Sequence, residues 1–198
     1  MLAWVGPIEI ALGDIRDRAS IDRFVQDATE VYHFAAQVAV TSSLDDPVHD
    51  FAVNAGGTLN LLEALRALDT PPPLIFTSTN KVYGDLEDVE LVPDGSRYIP
   101  ADTDTRMYGI SEERPVNFHS PYGCSKGAAD QYVLDYARTF HMPAVVFRMS
   151  CIYGPHQFGT EDQGWLAHFL IRAMKGQAIT IYGDGLQVRD WLYVEDHA

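Results

Sequence analysis

The sequence predicts an α/β fold built on a parallel sheet with helices on both faces. Three observations predict it. Short apolar runs alternate with longer segments of helical periodicity. Proline, glycine and aspartate punctuate the junctions. Candidate site residues (Asp14, Ala35 to Gln37, Thr77 to Lys81, Ser150 to Tyr153) gather just after the apolar runs, where such a sheet presents its strand ends to ligands.

Residues 8–12 form the first strand-like run and end at Gly13-Asp14. Residues 21–28 read as a short helix capped by Ser20. Residues 31–36, Val-Tyr-His-Phe-Ala-Ala, read as a buried strand, with His33 as a satisfied core histidine. Residues 48–68 carry Val53, Leu61, Leu62, Leu65 and Leu68 at helical spacing and stop at the prolines of 71–73. The next strand is 74–78, and 84–118 is a polar excursion over the sheet edge. A helix over 121–140, a strand over 144–152, a helix over 164–175 with Trp165, Phe169 and Leu170 as its core, a short strand over 178–182 and an extended piece over 188–194 complete the order. There is no internal repeat or low-complexity tract.

Ser120-Pro121-Tyr122-Gly123-Cys124-Ser125-Lys126 is the most informative segment. Serine caps helices and proline suits the first helical position, so Tyr122 opens a helix and Lys126 falls one turn further along the same face. An ammonium and the positive end of the helix dipole both favour a phenolate, which lets a tyrosine act as general base nearer neutral pH. The same spacing also suits a solvated helix face. A second segment, Thr77-Ser78-Thr79-Asn80-Lys81-Val82-Tyr83-Gly84, weighs for chemistry, because it too follows a strand.

Composition bounds the partners. A net charge of −14 argues against nucleic acid, whose phosphates require a basic surface. No apolar run reaches the roughly 20 residues of a membrane span, and the first seven residues lack the character of a secretory leader. Cys124 and Cys151 make neither a disulfide framework nor a metal site, so no metal is expected and a reducing cytoplasm is the default location.

Gly13-Asp14-Ile15-Arg16-Asp17, His33-Phe34-Ala35-Ala36-Gln37, Asn54-Ala55-Gly56-Gly57-Thr58, the Thr79 segment, the Tyr122 and Lys126 pair and Val188-Arg189-Asp190 occur in that order. Together they resemble the extended short-chain dehydrogenase/reductase family, the NAD-dependent nucleotide-sugar epimerases and dehydratases. The resemblance implies a Rossmann-like, doubly wound parallel sheet, NAD as cofactor, a nucleotide sugar as substrate and a homo-oligomer, dimer or tetramer, for the full-length form. It implies Thr79, Tyr122 and Lys126 as the catalytic trio. Asp14, Ile15, Ala35, Ala36, Gln37, Asn54 and Thr77, with Tyr122 and Lys126, would contact the cofactor. Thr79, Asn80, Lys81, Cys151 and Arg189 would contact the substrate, with Cys151 standing where many relatives have asparagine. Asp14 also suits a turn or cap, Ala35 and Ala36 simple close packing, Thr79 a cap of the next helix, and Arg189 a surface ion pair.

A dehydratase of this family needs an Asp-Glu pair after the threonine. Asn80-Lys81 supplies no carboxyl, which favours epimerisation. Within the family, residues 78–84 and 148–165 look most like the branch that inverts C2 of a CDP-linked sugar. No Gly-rich pyrophosphate turn precedes Gly13. The expectation is therefore a chain lacking the first βαβ unit and most of the substrate domain, with residues 1–152 cofactor-binding and 153–198 beginning the sugar-binding part. A binding module or inactive remnant is the alternative. Truncation of that kind leaves sheet edges and apolar faces uncovered.

Overall fold

The computed structural model describes residues 8–198; the segment read above for leader character, residues 1–7, lies outside them. The elements run α1 (Arg18–Phe24), β1 (Val31–His33), α2 (Val40–Asp45), α3 (Pro47–Phe51), a π-helical turn (Ala52–Gly56) and α4 (Gly57–Arg66). Then come β2 (Leu74–Thr79), a 3₁₀ turn (Asn80–Tyr83), β3 (Leu91–Asp94), β4 (Arg97–Pro100), α5 (Thr103–Tyr108) and α6 (Ser120–Phe140). The chain closes with β5 (Ala144–Met149), β6 (Cys151–Tyr153), α7 (Trp165–Met174), β7 (Trp191–Tyr193) and α8 (Val194–His197).

A parallel sheet in the order β1-β2-β5 carries the fold. Parallel neighbours need crossovers, and the α2–α4 path and α6 supply them. The register places Tyr32, Ile75 and Val145 in one row and His33, Phe76 and Val146 in the next. Because side chains alternate along a strand, these rows face opposite ways. The His33–Phe76 side packs on α4 and α6 around Leu61, Leu62, Leu65, Leu74, Ala129 and Val133, with α1 adding Ile21 and Val25. Leu62 and Leu65 are fully excluded from water, each worth about 1.5–3 kcal/mol of transfer free energy. On the other side Tyr32, Phe34, Val145 and Phe147 are exposed, so among the described residues the helical cover read for both faces is seen on one.

Several predicted elements differ. Residues 8–12 pair with no strand, and Leu12 is 94% exposed. The first helix starts three residues earlier than read, because the Asp17 carboxylate, not Ser20, accepts the Ala19 N–H and also the Ser20 hydroxyl. β1 stops at His33, short of Ala36. The excursion over 84–118 folds its own hairpin, β3 against β4, and α5. The apolar run 144–152 divides between two sheets, since β6 pairs with β7 and not with β2. Residues 178–182 form no strand, and α7 buries none of its residues, so Trp165, Phe169 and Leu170 are not core.

Candidate active site

The start of α6 is built by two serines. Ser120, at φ +65°, is the first residue of α6 and not its N-cap, which is His119, yet its hydroxyl accepts the Gly123 N–H at 3.2 Å. Ser43, from α2, accepts the Tyr122 N–H at 3.2 Å. A left-handed serine is uncommon and strained, and here it sits where the helix that carries Tyr122 and Lys126 begins.

Tyr122 and Lys126 both face the carboxyl end of β2. The Lys126 Nζ donates to the Thr77 carbonyl at 2.7 Å and lies 4.4 Å from the centre of the Phe76 ring. Thr79, buried at the last position of β2, accepts the Lys81 N–H at 3.3 Å. Its hydroxyl lies near enough to Tyr122 to favour the phenolate, although no hydrogen bond of ordinary geometry joins them. The trio is therefore assembled at one strand end.

The electrostatics correct one expectation. Burial pushes the Tyr122 hydroxyl above the ordinary tyrosine value; Thr79 opposes this shift and the Asp50 charge adds to it. Lys126 does not overturn that balance, because its ammonium points at the Thr77 carbonyl. Burial also pushes Lys126 down to about 8, and the negative charges of Asp130 and Asp50 resist the fall. His33 is buried, pairs with Thr58 Oγ1 at 2.9 Å and is pushed by burial down to about 4, so it is a neutral core histidine as predicted.

A buried ion pair sits behind the trio. Asp130, one turn beyond Lys126, is fully buried and accepts from Arg148 through Nε at 3.0 Å and Nη2 at 2.9 Å. Ser78 Oγ donates to the same carboxylate at 2.7 Å, and Arg148 Nη1 donates to the Tyr83 hydroxyl at 2.9 Å. The pair thus ties α6, β2, β5 and the 3₁₀ turn together around Thr79. None of its members figures in the sequence-based site. The nearest signal is the four-residue step from Lys126 to Asp130, which puts the two on one helix face.

The residues expected at the cofactor end fall into two groups. Asn54 joins Gln37 to α6: its Oδ1 accepts the Gln37 N–H at 2.9 Å, and its Nδ2 lies 3.0 Å from Ser125 Oγ. Asn54 sits in the π turn, a distortion common at functional positions. The Thr77 hydroxyl donates to the His33 carbonyl at 3.0 Å, while Ala35 and Ala36 continue from β1 beyond its last paired residue. Asp14 and Ile15 stand further off, on the loop before α1. Asn60 of α4 donates to the carbonyls of Ile15 and Arg16 at 3.2 and 3.1 Å. A Cβ at Gly57 would come within 2.6 Å of Ile15, so glycine there allows the loop to dock. Asp14 is held by Arg16, whose hydrogen bonds and charge lower its carboxyl to about 2.

This donor and acceptor set fits a nicotinamide riboside. Lys126 gives one of its three N–H bonds to Thr77, and Gln37 Oε1 is buried with no donor among the described residues. A ribose diol, which both donates and accepts, complements the two.

The residues expected at the sugar end are less closely gathered. Asn80 and Lys81 are exposed, and Asn80 Nδ2 approaches Ser150 Oγ at 3.4 Å. Cys151 pairs in register with Trp191, and its N–H donates to the Asp190 carbonyl at 3.2 Å, which brings Arg189 alongside. The Arg189 guanidinium is exposed and bonds its own neighbours, Val188 O and Gln187 Oε1. An open cleft of about 460 Å³ lined by Tyr83, Arg148, Ser150 and Asp190 lies on this side, and the trio does not line it.

With this geometry in view, the chain matches the NAD dependent epimerase/dehydratase family over residues 3–198. The chain belongs to that family. It is 46% identical to the CDP-paratose 2-epimerase of Salmonella typhi over 98% of its own length and 59% of that protein's. It is 37% identical to dTDP-glucose 4,6-dehydratase 1 of Escherichia coli over 93% of the chain and 51% of the relative. Among solved structures it resembles the UDP-glucose 4-epimerase of Thermus thermophilus in complex with NAD, at 36% identity and a TM-score of 0.75, over 93% of the chain and 56% of that structure. The chain spans about half to three fifths of the length of these relatives. The fold is accordingly the Rossmann-like α/β sheet of the family.

Proposed function

We propose that this chain carries the catalytic part of an NAD-dependent nucleotide-sugar epimerase that works by transient oxidation, with CDP-paratose converted to CDP-tyvelose. The observation that carries the proposal is the convergence of Thr79, Tyr122 and Lys126 at the carboxyl end of β2. The 46% likeness to a CDP-paratose 2-epimerase supports the choice of sugar. Residues 1–152 would serve the cofactor and 153–198 would begin the sugar-binding part.

In this reading Tyr122 takes the hydroxyl proton of the sugar carbon that becomes a ketone, and returns it when the ketone is reduced. A phenol pushed up by burial needs the proton removed at a cost, so the Thr79 hydroxyl and the neighbouring ammonium must favour the phenolate once the sugar is in place. The nicotinamide, when bound, would supply the hydride acceptor and donor. Lys126 and Gln37 would hold its ribose, with Asp14 and Ile15 toward the adenine. Asn80 and Lys81 give no carboxyl for expelling a hydroxyl, which argues against dehydration. The likeness to a UDP-glucose 4-epimerase favours a second reading, inversion at C4 of a UDP-sugar.

The test is incubation of the 198-residue chain with CDP-paratose and NAD⁺, followed by detection of CDP-tyvelose. A 4-keto-6-deoxy product from a CDP-hexose would overturn the epimerase reading. Interconversion of UDP-glucose and UDP-galactose would replace the C2 reading with C4. Tyr122→Phe is expected to abolish turnover while leaving NAD affinity nearly unchanged, as measured by nucleotide titration; near-normal turnover would remove Tyr122 as the base.

A further inference from the structure

Asp50 has no place in the roles proposed above, yet its burial demands an explanation. It is 1% exposed, on α3, which packs against α6. One oxygen, Oδ1, accepts from Asn54 Nδ2 at 3.1 Å. The other, Oδ2, is buried with no partner, and no lysine, arginine or histidine pairs with the carboxylate among the described residues. A buried carboxylate without a cation is costly, so it persists only where something nearby gains from its charge.

Two hydrogen bonds lead from it to the catalytic helix. Asn54 Nδ2 also approaches Ser125 Oγ at 3.0 Å, and Ser125 directly precedes Lys126. An amide's two ends have nearly the same shape, but a carboxylate can only accept. Asp50, together with the Gln37 carbonyl that Asn54 Nδ2 also reaches at 3.2 Å, therefore holds the amide N–H₂ in place and leaves Oδ1 for the Gln37 N–H.

The other charges around Lys126 are accounted for. On α6, Asp130 is paired with Arg148 of β5 yet still supports the Lys126 charge, and Tyr122 is a neutral phenol while it carries its proton. On β1, His33 is neutral and bonded to Thr58. Thr77, Ser78 and Thr79 of β2 are uncharged. On Asp50's own helix His49 is exposed, as are Asp46 and the last residue of α2, Asp45. Asp50 is thus the buried anion without a cation partner of its own whose charge, after that of Asp130, supports the buried ammonium.

We propose that Asp50 is a positioning residue of this site, a buried counter-ion that keeps the Lys126 ammonium protonated and orients Asn54 between Gln37 and α6. Its significance for turnover rests on the epimerase reading, but the charge relation does not. At a working pH near neutral, Lys126 would otherwise lose part of the positive charge that a ribose requires, while the Asp50 charge itself works against a Tyr122 phenolate.

The chain has three lysines, Lys81, Lys126 and Lys175, and the first and last are exposed, so side-chain NMR of the Cε–Nζ groups resolves Lys126 without cofactor or sugar. The native chain is expected to titrate Lys126 near 8. Asp50→Asn, which keeps the shape and removes the charge, is expected to lower that midpoint by about one pH unit or more. An unchanged midpoint in the folded variant overturns the proposal. Should the variant fail to fold, the native chain decides: the Asp50 carboxyl carbon must give a carboxylate signal that moves as Lys126 titrates, and a protonated or unresponsive signal overturns it. A midpoint shift without any sugar turnover would leave Asp50 in its role and remove only the epimerase reading.

Discussion

The seam between α6 and β2 and the segment from β6 to α8 both hold residues expected in one site, but they hold them differently. In the seam Lys126, Asp130, Ser78, Thr79 and Asn54 are buried, and Asp130 and Asn54 each bind more than one partner. In the later segment neither α7 nor α8 buries a residue, and Arg189 bonds only its own neighbours. The difference teaches where geometry is fixed by the fold and where it is left to a ligand. Under the proposed function, groups placed to exchange a proton are locked by packing, whereas those proposed to grip the distal part of a substrate would gain position on contact.

Substitutions can break this contrast, and the largest effect is expected in the seam. Arg148→Met leaves the Asp130 carboxylate buried without its cation and should destabilise the chain by about 3–5 kcal/mol in urea unfolding, with much of the loss recovered when Asp130→Leu is added. Recovery by the double variant would separate the cost of an unpaired charge from the loss of shape.

Next comes pH. His33 is pushed down to about 4 in the folded chain from an ordinary value of 6.5. Between those values the unfolded state binds a proton that the folded state refuses, so stability falls as pH drops. The full loss is about 3 kcal/mol and should appear in chemical unfolding from pH 7 to 4. The carboxyls of Asp14 and Glu63, held at about 2 by their arginine partners, add their own loss only below about 4.5. A His33→Gln variant should flatten the upper part of that curve. The smallest effect belongs to the other region: Arg189→Ala should shift unfolding free energy by no more than about 0.5 kcal/mol, because its contacts are exposed and local.

Much of the site was legible because its signals are local. Ser120, Pro121 in the first turn and the step from Tyr122 to Lys126 are written within seven residues, and α6 begins within one residue of where they predict, with His119 as its cap. The strand 74–78 was legible for the same reason, an apolar run after three prolines. Residues 8–12 misled, since their apolar pattern suits a strand but pairing depends on a neighbour remote in sequence. The helix α2, Val-Thr-Ser-Ser-Leu-Asp, has no apolar period to reveal it, yet it delivers Ser43 to the Tyr122 N–H. The single helix read over 48–68 hides a π turn, because a one-residue insertion in the hydrogen-bond ladder leaves the apolar pattern nearly intact.

By itself the sequence determined the parallel α/β order, the helix that carries Tyr122 and Lys126, and the identity of the residues at the end of β2. Those follow from propensity, capping and periodicity, which act over a few residues. Tertiary structure alone decided that Lys126 turns its ammonium to the Thr77 carbonyl, that burial raises Tyr122, and that Asp130 and Asp50 stand beside them with and without a cation. Desolvation and charge pairing depend on what the whole chain brings within a few ångströms, and no window of sequence contains that distance.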